Sequence, residues 1–123
     1  MASKEMTSGK FLAELRESKD VTLRELARKM KVSAPFLSDV EKDRRSALTS
    51  ERIEQVAETL NLKADDKKKL YDLAGEQRNT IAPDLPDYIM GKEYVVALRT
   101  SRDLGIGREK WLKFIKEMKK GKD

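Results

Sequence analysis

An all-α fold in two parts is what this sequence predicts, and three observations predict it. Apolar residues recur three and four positions apart along most of the 123 residues, which is the period of a helix and not of a strand. Only six glycines and three prolines punctuate that pattern, and no stretch alternates as a convincing strand would. Aromatic residues are 6% of the chain, so the core must be aliphatic.

The elements follow in order. A first helix is predicted from about Ser8 to Ser18, with Phe11, Leu12 and Leu15 inward. A second opens at Thr22, where Glu25 three positions on completes a capping box, and turns Leu26, Ala27 and Met30 to the core. Ser33 can cap a third helix reaching about Lys42, with Pro35 in the first turn, where its missing N–H costs nothing. A fourth starts after Ser50, presents Ile53, Val56, Ala57 and Leu60, and ends at Asn61. Asp65 is the expected cap of a fifth helix carrying Leu70, Leu73 and Ala74, with Lys67, Lys68 and Lys69 exposed. Asn79 to Pro83 breaks the pattern, and Asp84-Leu85-Pro86-Asp87 reads as a capped turn leading into Tyr88, Ile89 and Met90. Another helix is expected over roughly Lys92 to Leu104 with Gly105 as its left-handed terminator. Gly107 begins the last, which sets Trp111, Phe114, Ile115 and Met118 at i, i+3, i+4 and i+7.

Composition narrows the chemistry. Apolar residues are 38% and charged residues 40%, enough for one core beneath a heavily charged surface. Histidine and cysteine are both absent, which removes disulfides, thiolate nucleophiles, imidazole and thiolate metal ligands and the usual general base. No metal, no cofactor and no catalysis are therefore expected. No apolar run approaches a membrane span, and Met1 to Lys10 lacks the apolar stretch of a signal peptide, so a soluble cytoplasmic protein is expected. The net charge of +5 divides unevenly, +1 up to Leu62 and +4 after it, so charge alone does not assign a nucleic-acid partner.

The informative stretch is Thr22 to Lys42, two short helices joined by a tight connection, which is a helix-turn-helix. Ala27 is small enough for the helices to approach, and Val32, Leu37 and Val40 close the wedge, leaving the start of the second helix free to enter a major groove. Residues 8–62 resemble the phage Cro and repressor-like family, often called XRE, whose fold is lambda-repressor-like. The resemblance is carried by Leu15-Arg16, Thr22-Leu23-Arg24-Glu25-Leu26-Ala27, Val32-Ser33, Leu37-Ser38, Glu41, and the Ile53, Ala57 and Leu60 of the fourth helix. It implies that Arg16 pairs with Glu41, although Arg16 also reads as a solvated helix charge. It further implies base contacts from Ser33, Ala34, Pro35, Ser38 and Asp39, and phosphate contacts from Thr22, Lys42, Arg44 and Arg45. Three positions depart from the family pattern. Lys31 stands where glycine is frequent, which predicts a looser turn. Leu23 replaces a glutamine that would bind phosphate and is expected to pack inward. Asp43 stands where glycine often ends the recognition helix, a place it tolerates better than most residues.

Chemically, Ala34 and Pro35 offer only apolar contact, suited to a thymine methyl, and Asp39 can accept only from cytosine N4. Specificity is then expected to draw partly on DNA shape and the loop arginines. Ser33 reads equally as a pure N-cap, and Phe36 as a core residue or as one lying against the sugar-phosphate backbone. Glu51, Glu54 and Glu58 would repel DNA and should face away from it or toward a partner. Asp65-Asp66 and Asp84/Asp87 are read as caps and helix-start charges.

These readings divide the chain into residues 1–62, a helix-turn-helix DNA-binding domain, and 63–123, a helical extension for dimerisation or partner binding. The stripe containing Trp111 must pack within the chain or against another copy. The expected function is sequence-specific binding of double-stranded DNA by a transcriptional regulator, a repressor acting as a homodimer on an inverted repeat. The alternative is an antitoxin-type protein whose basic second half grips a protein partner and whose DNA-binding domain autoregulates.

Overall fold

The computed structural model describes residues 5–121; residues 1–4 and 122–123, on which the readings of the chain's two ends partly fall, lie outside it. Among the described residues there are seven helices and no strand: α1 (Ser8–Ser18), α2 (Leu23–Met30), α3 (Ala34–Glu41), α4 (Ser50–Leu60), α5 (Ala64–Arg78), α6 (Lys92–Asp103) and α7 (Arg108–Lys120). They fall into two compact units that meet between Pro86 and Asp87.

In the first unit α1 packs on α3 and α5, α2 on α3 and α4, and α4 on α5. Leu12, Leu26, Met30, Leu37, Ile53, Val56 and Leu70 are fully enclosed, with Phe11, Leu15, Ala27, Val40, Leu60, Tyr71 and Ala74 around them. The aliphatic spacing thus converges on a single core, and burying these side chains is what holds helices too short to be stable alone. Of the α4 residues expected to face the core, Ile53, Val56 and Leu60 are buried and Ala57 is half-buried. α5 belongs to this unit, through Leu70, Tyr71 and Ala74 in the core and through hydrogen bonds from Ser8 to Gln77 and from Arg78 to the Ala47 carbonyl.

Local chemistry sets the helix ends. Thr7, Thr22, Ser33 and Thr49 each accept a backbone N–H from three residues on, and Thr22 with Glu25 forms the full reciprocal box. Asp65 does not cap α5. The helix begins at Ala64 behind Lys63, two residues earlier than an Asp65 cap would place it, with Asp65 and Asp66 inside its first turn, where their charge still meets the positive end of the helix. Lys31, Asp43, Asn61 and Asn79 all take the left-handed conformation.

The second unit is different in kind. α6 and α7 bury no residue. The segment before α6 forms turns, and α6 starts at Lys92 behind Gly91, where the sequence places it. Gly105, at φ 72°, ends α6 in the left-handed region. Trp111 makes an edge-on contact with Phe114 but remains 37% exposed, so the stripe does not form a core within the described chain.

Candidate DNA interface

The turn between α2 and α3 is tight despite its lysine. Lys31 sits at φ 60° and ψ 41°, and its N–H and that of Val32 return to the carbonyls of Arg28 and Ala27. The looser turn expected from the missing glycine does not occur, because two closing hydrogen bonds and the burial of Met30 and Leu37 on either side outweigh a penalty of about 1 kcal/mol. Leu23 is half-buried and packs against the core.

α3 is only eight residues long and buries just Leu37 and Val40. Its orientation is fixed mainly by polar ties at both ends. Ser33 Oγ accepts the Phe36 N–H at 3.1 Å. Near the other end Arg16 grips Glu41 with two nitrogens: Nε to Oε2 at 2.7 Å and Nη2 to Oε1 at 3.0 Å. The remaining Nη1 donates to the Val21 carbonyl at 2.9 Å. Both side chains are largely enclosed, at 12% and 9% exposure, and hydrogen bonding to Glu41 holds the Arg16 guanidinium above its ordinary pKa against the opposing effect of burial.

Beyond Glu41 the chain folds back through Asp43 at φ 60°, and the Arg44 N–H bonds the Asp39 carbonyl at 2.8 Å. Asp43 does more than tolerate the left-handed position that glycine would fill. Its carboxylate accepts from Thr7 Oγ1 at 2.6 Å and from the Gly9 N–H at 3.2 Å, so the end of α3 caps the start of α1. Gly9 makes this approach possible: a Cβ there would lie 2.4 Å from the Val40 carbonyl oxygen and 2.8 Å from that of Glu41.

The fold brings the residues expected to touch bases together on one face of α3. Pro35 and the Ser33 cap are exposed, and Ala34, Ser38 and Asp39 are half-buried. Of those expected to touch phosphate, Lys42, Arg44 and Arg45 follow directly and are exposed, while Thr22 lies at the start of α2, held in its capping box. The box holds the Glu25 carboxyl below its usual range, through the Thr22 backbone N–H first and its hydroxyl second.

Two further features escaped sequence reasoning. Asp39 lies within ion-pair distance of both loop arginines, Oδ1 to Arg44 at 3.7 Å and Oδ2 to Arg45 at 3.9 Å. Phe36 is a platform for arginines: the guanidinium of Arg45 stands 4.8 Å from its ring centre and that of Arg52 5.8 Å. Arg52 also donates to the Met30 carbonyl at 3.2 Å, joining α4 to the end of α2. These residues line an open basic cleft of about 460 Å³ with Ser46, Ala47, Leu48 and Thr49. No sequence spacing marks such contacts, which arise only when the loop folds back over α3.

Of the acidic residues on α4, Glu51 and Glu58 are exposed. Glu54 is engaged within the chain, at 2.8 Å from Lys67 Nζ and hydrogen-bonded to the Tyr71 hydroxyl. These bonds lower the Glu54 carboxyl pKa, with Lys67 the larger cause, while burial first and Glu54 second raise that of the Tyr71 hydroxyl. Among the described residues no group of three or more metal-ligating side chains comes together, and no helix is long and apolar enough to cross a membrane.

Comparison with known proteins adds three findings. Residues 12–67 match the helix-turn-helix family known as HTH_3. A solved structure described as a SinR protein/SinI protein complex is similar at 21% identity over 92% of this chain and 95% of that one, with a TM-score of 0.48. No curated protein matches the chain.

Proposed function

We propose that this chain, whose residues 12–67 match the HTH_3 helix-turn-helix family, is an XRE-type DNA-binding regulator, a repressor that binds an inverted-repeat operator as a homodimer. One observation carries the reading of DNA: α3 presents its first turn to solvent while Lys42, Arg44 and Arg45 follow it on the exposed loop. In this reading Ser33, Ala34, Pro35, Ser38 and Asp39 meet base edges, and Thr22, Lys42, Arg44 and Arg45 meet phosphates. The protein acts by occupying a promoter-overlapping site, in the cytoplasm and without chemistry of its own.

We assign residues 1–62 to DNA reading and 63–123 to dimerisation or partner binding. α5 sits in the first unit's core, so the surfaces available for assembly are those of α6 and α7. Among the described residues, apart from Ile81 and Leu85, every large exposed apolar side chain lies beyond Asp87, including Tyr94, Leu98, Trp111, Phe114 and Met118. A second copy that covers these faces would also supply the second half-site, which a lone domain needs for affinity. An antitoxin-type role is the second reading. It is favoured by α7, where Arg108, Lys110, Lys113, Lys116, Lys119 and Lys120 oppose only Glu109 and Glu117, a charge suited to an acidic partner.

Selection of bound duplexes from a random pool by the purified chain tests the proposal. Enrichment of an inverted repeat with half-sites about one helical turn apart is expected. Arg44→Ala and Arg45→Ala should weaken binding to every duplex and lower the salt slope by about 0.9 per phosphate lost, while Asp39→Ala should change base preference. Equal losses on all sequences for all three variants refute these roles, and co-purification of a small partner in fixed ratio favours the second reading.

A further inference from the structure

The contact between Asp39 and the two loop arginines makes phosphate binding and base reading compete for the same groups. The turn through Asp43 folds Arg44 and Arg45 back over the residue that the proposed function places against a base, and each arginine takes one oxygen of its carboxylate. Arg45 is held a second time by the Phe36 ring. A carboxylate and a phosphate are both oxyanions that attract a guanidinium, so Asp39 and a DNA phosphate compete for the same two arginines.

We propose that Asp39 is a specificity-determining internal competitor: it occupies Arg44 and Arg45 in the free protein and releases them without loss only where the duplex offers its carboxylate a donor. At a site with cytosine N4 opposite Asp39, the carboxylate exchanges two arginines for a base donor while the arginines move to phosphate. Where the groove offers only acceptors or a methyl group at that place, the same move leaves an anion with no partner. Such an unpaired charge discriminates against wrong sites without strengthening the right one. Both ion pairs are exposed, which keeps the exchange inexpensive and quick: Arg44 is 66% exposed, Arg45 53% and Asp39 37%.

This inference rests on the DNA-reading proposal, and a double-mutant cycle on the full chain separates the two. Dissociation constants for a duplex of arbitrary sequence and for the best selected duplex would be measured over a range of salt, for the parent, Asp39→Asn, Arg44→Ala/Arg45→Ala, and the triple variant. Asp39→Asn should tighten the arbitrary duplex about two- to tenfold, as expected for freeing one or two exposed arginines, steepen its salt slope, and reduce the ratio of specific to arbitrary affinity. Without the arginines, the gain from Asp39→Asn should fall to less than about twofold. A similar gain in both backgrounds would mean that removing any negative charge suffices and would overturn the competitor role alone. So would no gain in the parent background. A parent chain that binds neither duplex at low salt overturns the DNA-reading proposal together with this one.

Discussion

Alanine in place of a helical glycine ordinarily stabilises, by up to about 1 kcal/mol, because glycine is the more flexible in the unfolded chain. Gly9→Ala in α1 should do the opposite. The new methyl would lie 2.4 Å from the Val40 carbonyl oxygen, 2.8 Å from that of Glu41 and 2.5 Å from Asp43 Oδ1. Two of these atoms are backbone at the end of α3 and cannot swing aside, so α1 must lift away. Overpacking of this kind costs about 1–3 kcal/mol. Lifting also breaks the bonds of Asp43 to Thr7 and to the Gly9 N–H, at about 1 kcal/mol each in this partly exposed setting. Against a helix-propensity gain of at most about 1 kcal/mol, the net loss should be about 2–4 kcal/mol. The tryptophan lies in α7 of the other unit, so its fluorescence reports on the wrong part of the chain. Native-state hydrogen exchange at the amides of α1 and α3, with urea unfolding followed by circular dichroism, is the appropriate assay. Unchanged or greater stability, with protection of Lys42 and Arg44 intact, would refute the reasoning.

Three other outcomes are expected. Lys31→Gly should stabilise by up to about 0.5 kcal/mol, the left-handed penalty less the extra unfolded-state entropy, and a lowered urea midpoint would contradict this. Arg16→Met and Glu41→Gln should each cost about 3 kcal/mol by leaving a largely enclosed partner uncompensated, while an apolar pair at both positions should recover much of the loss; additive single losses in a urea double-mutant cycle would show the two to be uncoupled. Because the folded Glu54 pKa lies below its unfolded value near 4.5, its contribution is present above pH 4.5 and lost as pH falls through the folded pKa, so Glu54→Gln should flatten the fall of the urea midpoint between about pH 5 and pH 3. An acid limb of unchanged steepness in that variant would assign the loss elsewhere.

How much of this was legible beforehand depended on the range of the forces involved. Helix boundaries and caps follow from local chemistry, so the Thr22–Glu25 box, the Ser33 cap and the Gly105 terminator were readable from residue types a few positions apart. The Lys31 turn was misjudged because propensity gives only the local penalty, while the opposing burial of Met30 and Leu37 is a property of the packed core. Asp65 was read as the cap although the cap lies two residues earlier, at Lys63, since acids favour both the cap and the first turn. The bonds of Glu54, which remains exposed, to Lys67 and Tyr71 had no sequence signal because these partners lie in the next helix. The seat of Gly9 under α3 and the arginines on Phe36 have no sequence signal at all, for each joins residues whose spacing obeys no helical period.

These observations share a cause in the small size of α3. A helix of eight residues burying only Leu37 and Val40 has too little apolar face to be held at one angle by burial alone. Its direction must come from groups with directional bonds, and these are concentrated at its ends: Ser33 at the start, Arg16 through Glu41, and Asp43 against α1. The Arg16–Glu41 and Asp43 ties leave the first turn and the outer face untouched. They are thus separate from the residues proposed to read DNA, and holding and reading draw on the same groups only at Ser33, whose hydroxyl caps α3, and at Asp39 with its two arginines. Substitutions at Ala34, Pro35 or Ser38 should then change the preferred sequence with little effect on folding, whereas Asp39 should couple base preference to overall DNA affinity.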